Sequence, residues 1–262
     1  MNFPIISIIT VVFNKTEGLE RTLKSIAAQD LDNYELIVID GGSDIETLNI
    51  LNDYSSIITD LISEKDQGIY DAMNKGILKA RGQWLNFMNA GDKYVSENTL
   101  SNIFEENHSP NIDLLIGDTI IDYGDFRKES KVQSLDTIWK GARFIHQSVF
   151  INRKFQLENL YNIDNKIGGD FEFFYNSIKE NANTKILNKF ISIFEAGGIS
   201  DQKRISSIYG NMKVVMSDEP SFLKGLFYLN KILVEISKII IKFCLPNSLV
   251  KKLQKNILNN EI

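Results

Sequence analysis

Four short apolar runs constrain this chain more than any other feature: Ile5–Val12, Tyr34–Ile39, Ile57–Ser63 and Trp84–Met88, each separated from the next by a helix-like segment. An unbroken run such as Ile5–Val12 fits a strand covered on both faces. Between the first two runs, Thr16–Ala28 places Leu19, Leu23, Ile26 and Ala27 on one helical face at three- and four-residue spacing. Ser43 and Glu46 have the spacing of a capping box that opens a second helix, and Ile69–Ala80 reads as a third. Strand–helix–strand connections of this length imply parallel strands joined by right-handed crossovers. The expected fold class is α/β, a single domain with a mostly parallel central sheet and flanking helices.

Beyond Gly91 the pattern loosens. Leu100–Glu106 and Asp170–Lys179 look helical, whereas Ile112–Ile121 and Ala142–Ile151 look like strands, so the second half is expected to be mixed α+β. From Ser221 onward Lys231, Glu235, Lys238 and Lys242 form one polar stripe on a helix that is otherwise apolar. Pro246 ends it, and Leu249–Leu258 could form another helix.

Charge divides the chain in the same place. Residues 221–262 hold seven lysines against Glu235 and Glu261, while the net charge of the whole is -5, so the remaining residues sum to -10. An acidic body argues against nucleic acid as a partner, and a basic apolar tail suits an anionic membrane surface. The single cysteine, Cys244, excludes an intramolecular disulfide framework and fits a reducing compartment. Pro4–Phe13 lacks a basic leader and a small-residue cleavage site, and no run of about 18 uncharged apolar residues exists, so an integral membrane protein is not expected.

Several side chains are candidates for chemistry, each with a plainer alternative. Asp40 closes the second strand before Gly41 and Gly42, where a carboxylate can accept from a ribose hydroxyl or a base imide, or can merely hold an αβ turn. Asp92 ends Asn89-Ala90-Gly91-Asp92, where one carboxylate plus substrate phosphates can hold Mg²⁺ or Mn²⁺; Asn, Gly and Asp are also ordinary turn residues. Asp170 follows Gly168 and Gly169 at a helix start, where the helix dipole keeps a carboxylate ionised, as a general base requires. A simple cap is the competing reading, and Glu172, two residues on, should face elsewhere. His146 is either a packed strand histidine or a group near a diphosphate. Lys65, beside Asp66, could reach phosphate or stay solvated, and Arg153 with Lys154 is equally ambiguous.

Four blocks together carry a resemblance: Ser7-Ile8-Ile9-Thr10-Val11-Val12-Phe13-Asn14, Ile39-Asp40-Gly41-Gly42-Ser43, Gly68-Ile69-Tyr70-Asp71-Ala72-Met73-Asn74-Lys75-Gly76 and Asn89-Ala90-Gly91-Asp92. In this order and separation, the chain over about residues 4–200 resembles the family 2 inverting glycosyltransferases, in particular the bacterial branch that builds surface polysaccharides. The resemblance implies an A-type glycosyltransferase fold over residues 1–210, with 1–92 as the nucleotide-binding half and 93–210 as the acceptor-binding half, followed by a helical extension over 211–262. It implies a nucleotide-diphosphate sugar donor, UDP by default, and a saccharide or lipid-linked saccharide acceptor. Val11, Phe13 and Asn14 would line the nucleotide, Asp40 would hold uracil or ribose, Asp92 would bind the metal on the diphosphate, and Asn74 and Lys75 would lie near the sugar-phosphate; Gly42, Lys65 and Asn89 are further candidates for contact with the nucleotide sugar. Asp170 takes the place of the base; His146 and Gly197-Gly198-Ile199-Ser200 look familial without a firm role. The expected location is cytoplasmic, with the tail at the inner face of the membrane or packed on the core or on a second copy.

Two departures accompany the likeness. The usual Asp-x-Asp metal motif is reduced to Asp92, and Gly169 stands where many relatives have Glu. The thin metal motif keeps open a different class of function, a noncatalytic nucleotide-sugar-binding or scaffolding subunit. A nucleotidyltransferase would need a glycine-rich phosphate loop after the first strand, which Phe13-Asn14-Lys15-Thr16-Glu17 does not supply, and a dehydrogenase would need G-x-G-x-x-G, which is absent.

Overall fold

The computed structural model describes residues 3–106, 108–198 and 202–244. Strands β1 (Ile6–Val12), β2 (Tyr34–Asp40), β3 (Asp60–Ser63) and β4 (Trp84–Phe87) run parallel in the order β3-β2-β1-β4. Helices α1 (Thr16–Ala27), α2 (Ile45–Asp53) and α3 (Ile69–Lys79) connect them, as the alternation of apolar runs required. Parallel pairing puts every strand's carboxyl end on one rim. In register, Val12 faces Asp40 and Asp40 faces Ser63 there.

The second half adds β5 (Lys93–Tyr94), α4 (Thr99–Phe104), β6 (Leu114–Asp122), β7 (Arg127–Ser130), β8 (Val149–Asn152), α5 (Arg153–Glu158), α6 (Gly169–Lys179) and β9 (Thr184–Glu195). These strands extend the sheet from β4 in the order β8-β6-β9-β5, with β7 on β6. β8 is antiparallel to both neighbours and β9 is parallel to β6. Helices α7 (Arg204–Asp218) and α8 (Phe222–Cys244) follow.

Apolar layers cover both faces. On one, Ile9, Val11, Ile37 and Phe87 pack with Tyr70, Met73, Phe173 and Phe174 of α3 and α6. On the other, Ile6, Ile8, Leu36 and Val38 pack with Leu19, Leu23 and Ile26 of α1 and Leu100 of α4. Thr22 completes the buried stripe of α1 in place of Ala27, which is exposed.

Three local expectations are corrected. Asp44, not Ser43, caps α2, accepting from Thr47 N at 3.0 Å, because the Ser43 hydroxyl is taken by the Asn14 N–H at 2.8 Å. Residues 57–59 lie before β3, which starts at Asp60. The strand expected over Ala142–Ile151 forms only from Val149, and His146–Ser148 make a 3-10 turn. Asn86, inside β4, donates to the carbonyls of Gln147 and Val149 at 3.1 and 2.9 Å and so fixes that turn against the sheet. The second tail helix, Leu249–Leu258, lies outside the described residues, as do Ile199 and Ser200.

Candidate active site

The rim where β1, β2, β3 and β4 end carries most of the residues the sequence singles out. At its β1–β2 corner, Asn14 adopts a positive φ of 47° and bridges two loops: its N–H donates to Ser43 Oγ and its Oδ1 accepts from Asp44 N at 2.9 Å. Phe13 is exposed beside it, Val11 is buried below, and Gly42 lies exposed against the Lys65 backbone. Asp40 is fully buried, accepting from Ser43 N at 3.1 and 3.2 Å and from Ser63 Oγ at 2.6 Å, so its carboxylate organises the turn from within. Asp66, whose Oδ1 accepts from Gly68 N at 2.8 Å, lies over Gly41.

A second group forms where β4 ends. Asp92 is 5 % exposed; its Oδ2 accepts from Gln147 Nε2 at 2.8 Å and its Oδ1 from Glu195 N at 3.0 Å. Burial pushes its carboxyl up to about 7, against the pull of those two donors and the positive charge of Lys15. Thr22 holds the loop from α1: its hydroxyl donates to Asp92 O at 2.6 Å and accepts from Gly91 N at 3.0 Å. Gly91 has a φ of +109°, and a Cβ there would strike the Lys15–Glu195 ion pair, so no other residue fits that turn unstrained. Glu195 also pairs with Arg21.

The third group surrounds Asp170. Its Oδ1 accepts from the Tyr70 hydroxyl at 2.8 Å, and no other hydrogen bond to this carboxylate forms among the described residues. Glu172 is drawn away by Asn162 and Asn165, whose amides donate to it at 2.8–3.2 Å. Gly169 has a packing reason: a Cβ would lie 2.9 Å from the Tyr70 ring. A cavity of about 30 Å³, water-sized, is bounded by Asp170, His146, Phe144 and Phe174.

His146 joins the second and third groups. It opens the 3-10 turn that continues into Gln147, packs 4.8 Å from the Phe87 ring, and shares a 2.8 Å hydrogen bond between Nε2 and the Tyr161 hydroxyl. Burial pushes it down to about 4, partly opposed by the charge of Asp170, so it is neutral at ordinary pH. Asn74 fixes Tyr161 by accepting from its N–H at 3.0 Å and donating to its carbonyl at 2.9 Å. Lys75 pairs with Glu64 at 2.7 Å and Asp71 at 3.4 Å. Thus Asp92 and Asp170 meet through the His146–Gln147 segment, and Asn74 supports it from behind. Lys65 stays exposed, and Asp40 faces inward.

The donor set fits a hard divalent cation held largely by substrate phosphates. A carboxylate has about four acceptor positions, of which Asp92 uses two, and the buried Asn89 Oδ1 has no hydrogen-bond partner. Among the described residues no group of three or more His, Cys, Asp or Glu forms a dedicated cage. Tyr70, Gln147, Thr22 and Glu195 were missed from sequence, since uncharged or distant side chains give no local signal; only the Tyr70–Gly169 pairing left a trace, in the missing Glu.

A family model described as Glycosyl transferase family 2 matches residues 7–179. A PGL/p-HBAD biosynthesis glycosyltransferase of Mycobacterium bovis is 32% identical over 212 residues, covering 77% of this chain and 81% of that protein. Among solved structures, S. aureus TarS 1-349 in complex with UDP aligns with a TM-score of 0.63 at 16% identity, covering 87% of this chain and 70% of that one. The mannosyltransferase PcManGT from Pyrobaculum calidifontis, in complex with GDP-Man and Mn2+, aligns with a TM-score of 0.64 at 12% identity, covering 100% and 82%. At these identities the two structures establish a shared fold, the A-type glycosyltransferase architecture.

Proposed function

We propose, from the premise that this chain belongs to glycosyl transferase family 2 and is a glycosyltransferase, that it transfers a sugar from a nucleoside-diphosphate donor with inversion at the anomeric carbon. UDP is the nucleotide to test first. The acceptor is a saccharide or lipid-linked saccharide of surface polysaccharide synthesis. In this reading residues 1–92 bind nucleotide and 93–210 bind acceptor.

Asp170 acts as the general base. It takes the proton of the acceptor hydroxyl while that oxygen bonds to the anomeric carbon from the face opposite the nucleotide. The bond from that carbon to the diphosphate breaks, and its electron pair leaves with the nucleoside diphosphate. The observation that carries this role is the setting of Asp170: a carboxylate in the first turn of α6, aligned by one phenol, while Glu172 is engaged by two asparagines. Asp92, with Asn89 beside it in the loop, would hold Mg²⁺ or Mn²⁺, which when bound supplies neutralisation of charge on the leaving diphosphate. Phe13, Asn14, Gly42 and Lys65 offer the exposed surface for the nucleotide, over the turn that Asp40 shapes. Asn74 and His146 hold Tyr161 and the Gln147 segment in place, and Lys75 stands at the edge.

The test is release of nucleoside diphosphate from UDP-glucose, UDP-GlcNAc and GDP-Man with Mg²⁺ or Mn²⁺ and mixed saccharide acceptors. Asp170→Asn should lower turnover by about 10²–10⁴-fold while nucleotide still raises the melting temperature. Undiminished turnover in that variant would remove the base assignment.

A further inference from the structure

Among the described residues, helix α8 is tied to the body along one side. Tyr228 is 1% exposed, donates to the Trp139 carbonyl at 2.7 Å, and packs with Ile138, Phe171 and Tyr175, while Lys231 Nζ reaches the Lys140 carbonyl at 2.8 Å. On the opposite side Phe222, Leu226, Leu229, Leu233, Ile236 and Ile240 recur at alternating spacings of four and three, and all are exposed, from 39% to 83%. A contiguous apolar surface of this size on a soluble chain marks an interaction site.

We propose that this face of α8 docks on an anionic lipid bilayer, with the helix lying in the plane of the headgroups. Two alternatives fit the structure less well. The helix does not cross the bilayer, since no helix among the described residues is long and apolar enough. A second copy could use the alternating stripe as a helix–helix seam, but the flanking positions Gly225, Asn230, Ile232, Ser237 and Ile239 hold no charge to select a partner. Leu223, Val234, Ile239 and Ile241 are exposed as well, so the apolar arc is wider than a two-position seam and suits a fluid apolar phase.

Charge supports the same occupant. Lys224 and Lys231 are engaged by Glu219 and the Lys140 carbonyl on the side tied to the body, whereas Lys238, beside Glu235, stands exposed at the border of the apolar arc. Seven lysines against two glutamates in residues 221–262 draw this segment to anionic headgroups, while a body of charge -10 is held off them.

The test is co-sedimentation of the full chain with vesicles of phosphatidylcholine alone or with phosphatidylglycerol added. The wild type should pellet with the mixed vesicles, less so as salt rises. Leu233→Glu with Ile240→Glu should lower that partition at least about tenfold with an unchanged melting temperature. Should this pair fail to fold, Lys238→Glu with Lys251→Glu and Lys252→Glu carries the same expectation through charge alone. Absence of binding, indifference to phosphatidylglycerol, binding retained by both variants, or a dimer that Leu233→Glu with Ile240→Glu turns into a monomer would each overturn the docking role. Vesicle binding needs no sugar donor, so it fails or holds independently of the transfer reaction.

Discussion

Tyr70 in the first turn of α3 donates to Asp170 in the first turn of α6 at 2.8 Å, and its ring lies where a Cβ on the neighbouring Gly169 would have to go. One phenol thereby aligns the carboxylate and excludes a side chain beside it. In Tyr70→Phe the ring remains and the hydrogen bond is lost, so the aligned rotamer of Asp170 loses its support. With one charge-assisted hydrogen bond at stake, kcat should fall about tenfold with KM for the donor little changed. Steady-state kinetics at fixed metal concentration check this, and an equal rise in KM would mean that Tyr70 serves donor binding instead.

The same pair makes a packing prediction. Gly169→Ala should destabilise by about 1–3 kcal/mol, because the ring it meets is buried and cannot swing away. The loss should persist in a Tyr70→Phe background, which keeps the ring, and shrink in Tyr70→Ala, which removes it. Urea unfolding of the wild type, the three single variants and the two double variants gives the coupling.

Asp92 and His146 predict opposing pH dependences that hide each other. Asp92, at about 7 when folded and 3.8 unfolded, binds the extra proton in the folded state, so its contribution falls by up to about 4 kcal/mol as pH rises from 4 to 7. His146, at about 4 folded and 6.5 unfolded, binds the extra proton in the unfolded state, so its contribution falls by about 3 kcal/mol as pH drops from 6.5 to 4. The wild type should therefore show little slope between pH 4.5 and 6.5 from this pair. Asp92→Asn should become steadily more stable with rising pH across that window, and His146→Leu steadily less, as measured by urea midpoints.

Metal binding should follow the same carboxyl. A cation needs the ionised form, so below the Asp92 value of about 7 the apparent affinity for Mn²⁺ in the presence of UDP should drop about tenfold per pH unit, and level off above it. Calorimetric titration from pH 5.5 to 8.5 reads this without turnover, and a flat profile would place the cation elsewhere.

Much of the first half was legible because β1, β2 and β4 are buried on both faces and write themselves as apolar runs, with Leu19, Leu23 and Ile26 marking the helix between. Asp92 and Asp170 could be picked out because each ends a glycine-containing turn. What could not be read depends on partners far away in sequence. His146 looked like a strand residue because Phe144-Ile145-His146-Gln147 alternates; the turn exists because Asn86 and Asp92 capture Gln147 through its carbonyl and its amide. Ser43 looked like a cap because nothing local announced that Asn14 would claim its hydroxyl. Asp40 is marked in the sequence by its place before two glycines, but its bond from Ser63, on a neighbouring strand, is visible only in the fold.

Glu35, which no motif marks, yields a last prediction because it lies at the opposite end of β2 from the rim. It is 2 % exposed and accepts from Ser7 Oγ at 2.6 Å, Arg81 N at 2.6 Å and Gly82 N at 3.1 Å, with the Arg81 guanidinium at 2.7 Å. Burial pushes its carboxyl up, but these donors and the Arg81 charge outweigh that and hold it below the ordinary 4.5. Its stabilisation is thus complete above pH 4.5 and is lost as pH falls through the lower folded value. Glu35→Ala leaves the Ser7 hydroxyl and the N–H and guanidinium of Arg81 without this acceptor, while Gly82 N keeps Ser7 Oγ at 2.8 Å, and should cost about 2–4 kcal/mol at pH 7, shrinking as pH falls. Because Ser7, Arg81 and Gly82 sit where β1 and β4 begin, kcat/KM of the folded fraction should stay within about twofold of the wild type. A larger kinetic loss would show that this end of the sheet is coupled to the rim, and a stability loss that does not change with pH would show that the carboxylate contributes nothing as a charge.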